Sequence, residues 1–397
     1  MTTPPLGVPG GFKPPPYPYA RLSKLLTVAS RHEGGVVDLS VGTPCDPPPP
    51  QVTHALCASK SLSGYPSSVG SEALRGAAAD WMRRRFGVET DPQHIAACVG
   101  TKEMVASTAW YMRLRDPARD VVIGPAVAYP TYAMGAQLAG CSYVPVPTTE
   151  SGAMDLSVLP DELTARTLLV WANSPSNPTG SLCDLDAVAS WAQAKDVPVF
   201  SDECYVEFTW DDASCATVLR GAGRNVVAVH SLSKRSNMAG MRVGFYAGDP
   251  EIVGYLAAIR QHSGLMVPGP VQEAAVAALC DDEHVEIQRL RYLRRLERLV
   301  EILHVVGLDA ELPKGGFYLW VPVPGWCTDE AESRGDGAVA SWILTEALAE
   351  AGGVVVSPGD LYGDGGSPFV RVAAVQPDDR IELLAKRLAE PDSLRRH

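Results

Sequence analysis

Apolar positions in the middle of the chain fall in short unbroken runs: Val121–Gly124, Thr167–Asn173, Val197–Glu203, Asn225–Ser231 and Arg242–Gly248. Segments of helical periodicity, such as Asp184–Lys195, separate several of them. Strands apolar on both faces, alternating with helices, predict a mostly parallel sheet sandwiched by helices. The pattern changes near residue 280. Asp282–Val306 reads as a long charged amphipathic helix, with arginines at 289, 291, 294, 295 and 298. Strands Phe317–Val323, Val354–Ser357 and Phe369–Val375 follow, with the helix-like Gly337–Ala351 between them. The expectation is an α/β protein with a large domain over 46–280 and a smaller α+β domain over 281–397. The Pro47–Pro50 run reads as a crossing between domains, so residues 1–45 are expected to pack on the small one. No repeat of fixed period appears.

Composition narrows the function. A chain of 397 residues exceeds one ordinary core and leaves room for an enzyme cleft. Its apolar fraction of 46% and charged fraction of 20% are those of a soluble globular protein. The net charge of −12 argues against nucleic acid or an anionic membrane as partner, since phosphates would be repelled. No apolar run approaches the roughly 18–20 residues of a spanning helix. Met1–Pro16 is rich in proline and glycine without an apolar core, unlike a secretory signal. The nine cysteines show no CxxC pair and no Cys/His zinc spacing. They predict reduced thiols in a cytoplasmic protein without a metal site.

Lysine is scarce, and one stands apart. Lys234 follows an apolar strand directly, within Ser231-Leu232-Ser233-Lys234, where open α/β sheets place their ligands. Desolvation there lowers an ammonium pKa and makes the amine nucleophilic toward aldehydes. Position alone would favour a surface lysine at a strand end; the neighbouring motifs overturn that reading. Asp202, in Ser201-Asp202-Glu203-Cys204-Tyr205, closes another apolar strand and should be buried, where a carboxylate needs a cation or several donors. Read alone, it also suits a helix N-cap or a structural ion pair. One strand–crossover–strand unit separates Asp202 from Lys234, which brings both to one sheet edge. A third strand leads into Asn173-Ser174-Pro175-Ser176-Asn177-Pro178-Thr179-Gly180, a turn-rich loop with two asparagines.

These motifs, NxxxNPTG at 173–180, SDExY at 201–205, SxSK at 231–234 and Lys234-x5-Gly240-x-Arg242-x-Gly244, resemble those of the fold-type-I aminotransferases of classes I and II. The resemblance implies pyridoxal 5'-phosphate as cofactor, carried as a Schiff base on Lys234, which then moves the substrate α-proton. It implies that Asp202 pairs with the pyridine nitrogen and that Asn177 and Tyr205 bond the phenolic oxygen. The phosphate would be held by amides of Gly100-Thr101-Lys102 at a helix start, by Ser231 and Ser233 in some combination, and by Arg242. Tyr129, in Ala128-Tyr129-Pro130, matches the aromatic that stacks on the ring. Tyr65, in Gly64-Tyr65-Pro66, matches a tyrosine reaching the cofactor of a neighbouring subunit, which implies a homodimer with shared sites. Arg371 and Gly42 match the residues that receive the substrate α-carboxylate, with Asn177 beside them.

Longer stretches, Thr43-Pro44-Cys45-Asp46, Ser201-Asp202-Glu203-Cys204-Tyr205-Val206-Glu207-Phe208, His230-Ser231-Leu232-Ser233-Lys234-Arg235-Ser236-Asn237 and Met266-Val267-Pro268-Gly269-Pro270, resemble actinobacterial N-succinyldiaminopimelate aminotransferases. That likeness implies the glutamate/2-oxoglutarate couple and N-succinyl-2-amino-6-oxopimelate, in lysine and diaminopimelate synthesis. Arg235 and Arg21 are candidates for the distal carboxylate by location only. An aspartate- or acetylornithine-type aminotransferase, or a C–S lyase keeping the same cofactor residues, stays open. A nicotinamide-binding Rossmann enzyme lacks its fingerprint: no GxGxxG follows a strand, and Gly221-Ala222-Gly223-Arg224 precedes one.

Overall fold

The computed structural model describes residues 12–149, 154–211, 214–221, 223–335, 337–390 and 394. The start of the proline-rich segment and Ala222 lie outside the described residues. Among the described residues, the strands are β1 Val37–Asp38, β2 Ile95–Cys98, β3 Val121–Pro125, β4 Ser142–Val146, β5 Thr167–Asn173, β6 Val199–Asp202, β7 Val226–Ser231, β8 Gly244–Gly248, β9 Tyr318–Pro322, β10 Val354–Val355, β11 Ser357–Pro358 and β12 Phe369–Ala373. Seven of them form one sheet in the order β2-β8-β7-β6-β5-β3-β4. The neighbours from β4 through β7 run parallel, and β8 runs antiparallel to both β7 and β2. Every residue of β5, β6 and β7 is buried, as two-sided apolar runs require. Alternation feeds two cores: Val226 and Val199 pack with Trp81 and Phe245 on one face, Val227 and Phe200 with Trp171 and Tyr246 on the other.

The direction of β8 decides the site. The parallel strands end at one edge of the sheet, and an antiparallel neighbour begins there. Ser231 and Cys98 both pair with Gly244, so Arg242, two residues earlier, arrives at the edge where Asp202 and Ser231 finish. The strand expected from Arg242 starts only at Gly244, because Arg242 itself takes a left-handed backbone, φ 55°.

A second core joins the C-terminal residues to the segment near residue 38. It contains Val37, Leu39, Leu296, Phe317, Leu319 and Val372, and Tyr205 and Phe208 reach into it from beyond β6. β1 pairs in parallel with β10, and β9, β11 and β12 form an antiparallel sheet. The single strand expected over Val354–Ser357 is therefore two, since its ends hydrogen-bond to different partners. The long helix spans Glu283–Val305 and buries Val285, Gln288, Tyr292, Arg295, Leu299 and Ile302 at helical spacing. Arg295 is tolerated in that stripe because Asp46 receives it at 2.6 and 3.0 Å and Asp378 at 2.7 Å. The Asp46 pair fastens the start of the Pro47–Pro50 run to the helix. No helix among the described residues is long and apolar enough to cross a membrane.

Candidate active site

A cavity of about 630 Å³ opens at the carboxyl ends of β5, β6 and β7. Strand pairing aligns Asn173 with Asp202, and Asp202 with Val229, so the three loops after these strands converge there. Asp202 is the buried last residue of β6. The Tyr132 hydroxyl donates to its Oδ2 at 2.9 Å and the Cys204 amide to its Oδ1 at 3.2 Å. Burial pushes its carboxyl pKa up, against the pull of those donors. Among the described residues no guanidinium or ammonium hydrogen-bonds it. A buried carboxylate met only by neutral donors suits a cationic guest.

Lys234 reaches the cavity by local geometry. Chain direction turns at Ser231, whose hydroxyl accepts the Ser233 amide at 3.1 Å and caps the single helical turn Leu232–Arg235. That turn carries Lys234 over the strand ends, where its Nζ donates to the Gly42 carbonyl and lies 5.6 Å from the Phe317 ring centre. Burial lowers its ammonium pKa to about 8, and the nearby Arg371 and Arg242 cations act in the same direction. The amine is thus partly free near neutral pH.

The two asparagines divide their work. Asn173 secures the loop: its amide donates to the carbonyls of Asp202 at 2.8 Å and Pro175 at 3.2 Å, and its Oδ1 accepts the Asn177 amide at 2.7 Å. Asn177 Oδ1 accepts from Arg371 at 2.7 Å, which leaves its side-chain NH₂ as the donor end for a guest. Arg371 is 2% exposed and lies between the rings of Tyr318 and Tyr362, at 4.1 and 4.9 Å. It also donates to the Ser40 carbonyl at 2.6 Å, and its Nε is buried with no partner. Gly42 passes so close that a Cβ there would fall 1.8 Å from the Tyr318 hydroxyl.

At the other end of the cavity the helix Thr101–Arg115 begins without a side-chain cap. Gly100 precedes it at φ 79°, and a Cβ there would lie 2.1 Å from the Arg242 guanidinium. Only glycine lets that cation sit over the helix start. Thr101, Lys102, Ser231, Ser233 and Arg242 all line the cavity, as do Tyr129 and Tyr205. The Tyr205 hydroxyl is 2.9 Å from that of Tyr318.

Three candidates fall elsewhere. Tyr65 is 98% exposed and does not line this chain's cavity. Arg235 lies beneath the sheet edge, held by Glu207 at 3.1 Å and the Ala278 carbonyl at 2.7 Å, and so is no receiver of substrate. Arg21 lies outside the cavity over the Trp342 ring, 3.7 Å from Asp360. Conversely, Tyr132, Tyr318, Tyr17 and Tyr19 line the cavity without standing out in the sequence. Only Tyr132 carries a signal there, its place three residues after Tyr129 at the start of a helix.

The groups present fit pyridoxal phosphate. An amine of lowered pKa, a carboxylate lacking a cation, an amide donor and an uncapped helix start beside Arg242 match its aldehyde, ring nitrogen, phenolic oxygen and phosphate. Comparison with known proteins agrees. The family model for aminotransferase class I and II matches residues 34–388. The 4-dedimethylamino-4-oxo-anhydrotetracycline transaminase OxyQ of Streptomyces rimosus is 39% identical, over 94% of this chain and 99% of its own. An LL-diaminopimelate aminotransferase of Dehalococcoides mccartyi is 32% identical, over 94% and 96%. The structure of a probable N-succinyldiaminopimelate aminotransferase from Thermus thermophilus superposes with a TM-score of 0.78 at 27% identity, covering 94% of this chain and 99% of that one. The chain belongs to the class I and II aminotransferases, a family whose cofactor is pyridoxal phosphate.

Proposed function

We propose that the protein transfers an amino group between the glutamate/2-oxoglutarate couple and N-succinyl-2-amino-6-oxopimelate. Pyridoxal phosphate, when bound, supplies an electron sink that stabilises negative charge on the substrate α-carbon. The chain's own groups do the rest. Lys234 Nζ holds the cofactor and, once released, takes the α-proton as general base and returns it as general acid. Asp202 keeps the ring nitrogen protonated, and Tyr132 keeps Asp202 oriented. Arg371 binds the α-carboxylate, with Tyr318 and Tyr362 excluding water around it. Gly100, Thr101, Ser231, Ser233 and Arg242 receive the phosphate.

The observation that carries the acidic-substrate reading is a count of charges. Lys102, Lys234, Arg242 and Arg371 line the cavity against one carboxylate, Asp202. The cofactor and one α-carboxylate account for three of the cations. Lys102 is left over at the mouth, where it donates to the Tyr17 hydroxyl at 3.1 Å and lies 4.8 Å from that ring. A distal carboxylate answers it. The Thermus and Dehalococcoides proteins, named for succinylated and free diaminopimelate, support that skeleton. A second reading, a bulky cyclic ketone as acceptor, is favoured by the Streptomyces relative and by the tyrosine wall of Tyr17 and Tyr19. The test converts the enzyme with glutamate alone and then offers each acceptor, following cofactor absorbance. Rapid recovery with the succinylated oxo acid supports the first reading; recovery only with the tetracycline-type ketone replaces it. We further propose a cytoplasmic homodimer in which Tyr65 completes the partner's site. Mixing Lys234→Ala with Tyr65→Ala subunits should then restore activity that neither variant has alone.

A further inference from the structure

Two glutamates follow Asp202 within five residues, and the fold treats them oppositely. Glu207 is 3% exposed and fully partnered: Trp81 Nε1 and Arg235 Nε donate to its Oε1 at 2.7 and 3.1 Å, and Arg85 Nε to its Oε2 at 2.9 Å. Glu203 is 1% exposed, and among the described residues no lysine or arginine pairs with it. Its Oε1 accepts the Val218 amide at 2.8 Å, while its Oε2 is buried without a hydrogen bond. The nearest basic atom is His230 Nε2, 3.5 Å away and itself unpartnered, as is His230 Nδ1. The imidazole sits in an apolar box, with ring centres of Trp81, Phe245 and Phe86 at 4.9, 5.1 and 6.0 Å.

Among the described residues no free cation balances charge on either residue, and Glu203 has only neutral donors, the Val218 amide and the Thr217 and Ser201 hydroxyls, beside it. Arg235, the cation on this side of His230, is engaged at Nε by Glu207, at Nη1 by Ser236 and the Ala278 carbonyl, and at Nη2 by Asp282. The other ionisable groups facing the pair are Asp202, Cys204, Glu207, Cys215 and Arg85. The acids among these would add negative charge beside an ionised Glu203, and Arg85 is held by Glu207. A buried carboxylate in such a place takes up a proton instead. A neutral acid facing a neutral imidazole satisfies two of the three orphaned atoms, Glu203 Oε2 and His230 Nε2, with one hydrogen, and leaves the ring's own proton on Nδ1.

We propose that Glu203 is a neutral carboxylic acid donating its proton to His230 Nε2, and that this bond is a positioning device for the cofactor site. The two residues directly adjoin the site, Glu203 after Asp202 on one strand end and His230 before Ser231 on the next. Alternation sends them to the face of the sheet opposite the cavity. One bond beneath the sheet therefore fixes the spacing of the ring-nitrogen partner and the phosphate end above it. It also leaves Asp202 as the single negative charge at that edge. Burial pushes the Glu203 carboxyl up to about 7 and the His230 imidazole down to about 3, in line with the neutral pair.

The experiment uses the full chain, with and without pyridoxal phosphate, and does not depend on the acceptor proposed above. An infrared difference spectrum of wild type against Glu203→Gln near pH 6 should contain the carbonyl band of a protonated acid; a carboxylate band in its place overturns the proposal. Glu203→Gln keeps a donor to His230 and should hold cofactor affinity, read by equilibrium dialysis, within about twofold. Glu203→Leu removes the bond without adding charge. It should weaken cofactor affinity about tenfold, the size of one buried hydrogen bond, and shift the pH titration of the bound cofactor's absorbance. Unchanged affinity and titration in Glu203→Leu overturn the positioning role. Should that variant fail to fold, His230→Leu in the Glu203→Gln background removes the same bond and is read in the same way.

Discussion

Arg260 and Arg371 are equally buried, at 1% and 2% exposed, yet they live by different rules. Arg260 meets Glu103 through two hydrogen bonds, at 2.9 and 2.6 Å, and its charge is balanced within the fold. Among the described residues Arg371 hydrogen-bonds only neutral oxygens, those of Asn177 and Ser40, and keeps an orphaned Nε. The same division separates Glu207, which hydrogen-bonds two arginines, from Asp202, which among the described residues hydrogen-bonds none. A balanced buried charge is structure. An unbalanced one beside a cavity is a binding site in waiting, because its desolvation cost is offset only when a ligand arrives.

The contrast can be pressed hardest at Lys234. Lys234→Ala should lower transamination at least about 10⁴-fold, since it removes the general acid–base group, and borohydride should no longer fix label to the chain. Next comes the pair of arginines. Arg371→Leu should cut kcat/KM for glutamate by about 10²- to 10³-fold, the loss of a desolvated charge-assisted contact, with Tm unchanged or raised. Arg260→Leu should do the reverse, lowering stability by about 3–5 kcal/mol because Glu103 is left alone, with little change in KM. If both variants lose stability alike, the distinction between balanced and waiting charge fails here.

Smaller effects follow from titration. The Lys234 amine gains its free form as pH rises toward about 8. Capture of pyridoxal phosphate by the cofactor-free chain should therefore quicken up to that pH and then level, as stopped-flow absorbance would record. Glu203 has the opposite sign. Its folded pKa of about 7 exceeds the ordinary 4.5, so its contribution to stability is complete below about 4.5 and is lost as pH rises through about 7. Denaturant melts should show Glu203→Gln gaining on wild type across that window, and a flat difference would deny the neutral acid.

Much of the site was legible in the sequence because its main residues follow strands immediately. Asn173, Asp202 and Ser231 each close one of the parallel strands of the sheet, and such strands end at a common edge, so linear position implied spatial neighbourhood. Lys234 needed only the capped turn after Ser231. Chain order also foretold the mostly parallel sheet, the long helix and the alternation of strand and helix, since these rest on local periodicity.

Tertiary packing decided the rest. Alternation in Phe369-Val370-Arg371-Val372 turned Arg371 inward, but no pattern announces that Arg235, set between Lys234 and Ser236, turns beneath the sheet. The reversal of β8, which delivers Arg242 to the helix start at Gly100, and the arrival of Tyr318 over Gly42 are contacts between distant segments. Whether a buried charge is answered by the chain itself or left for a ligand depends on which remote side chain reaches it, and that is settled only when the whole chain has closed.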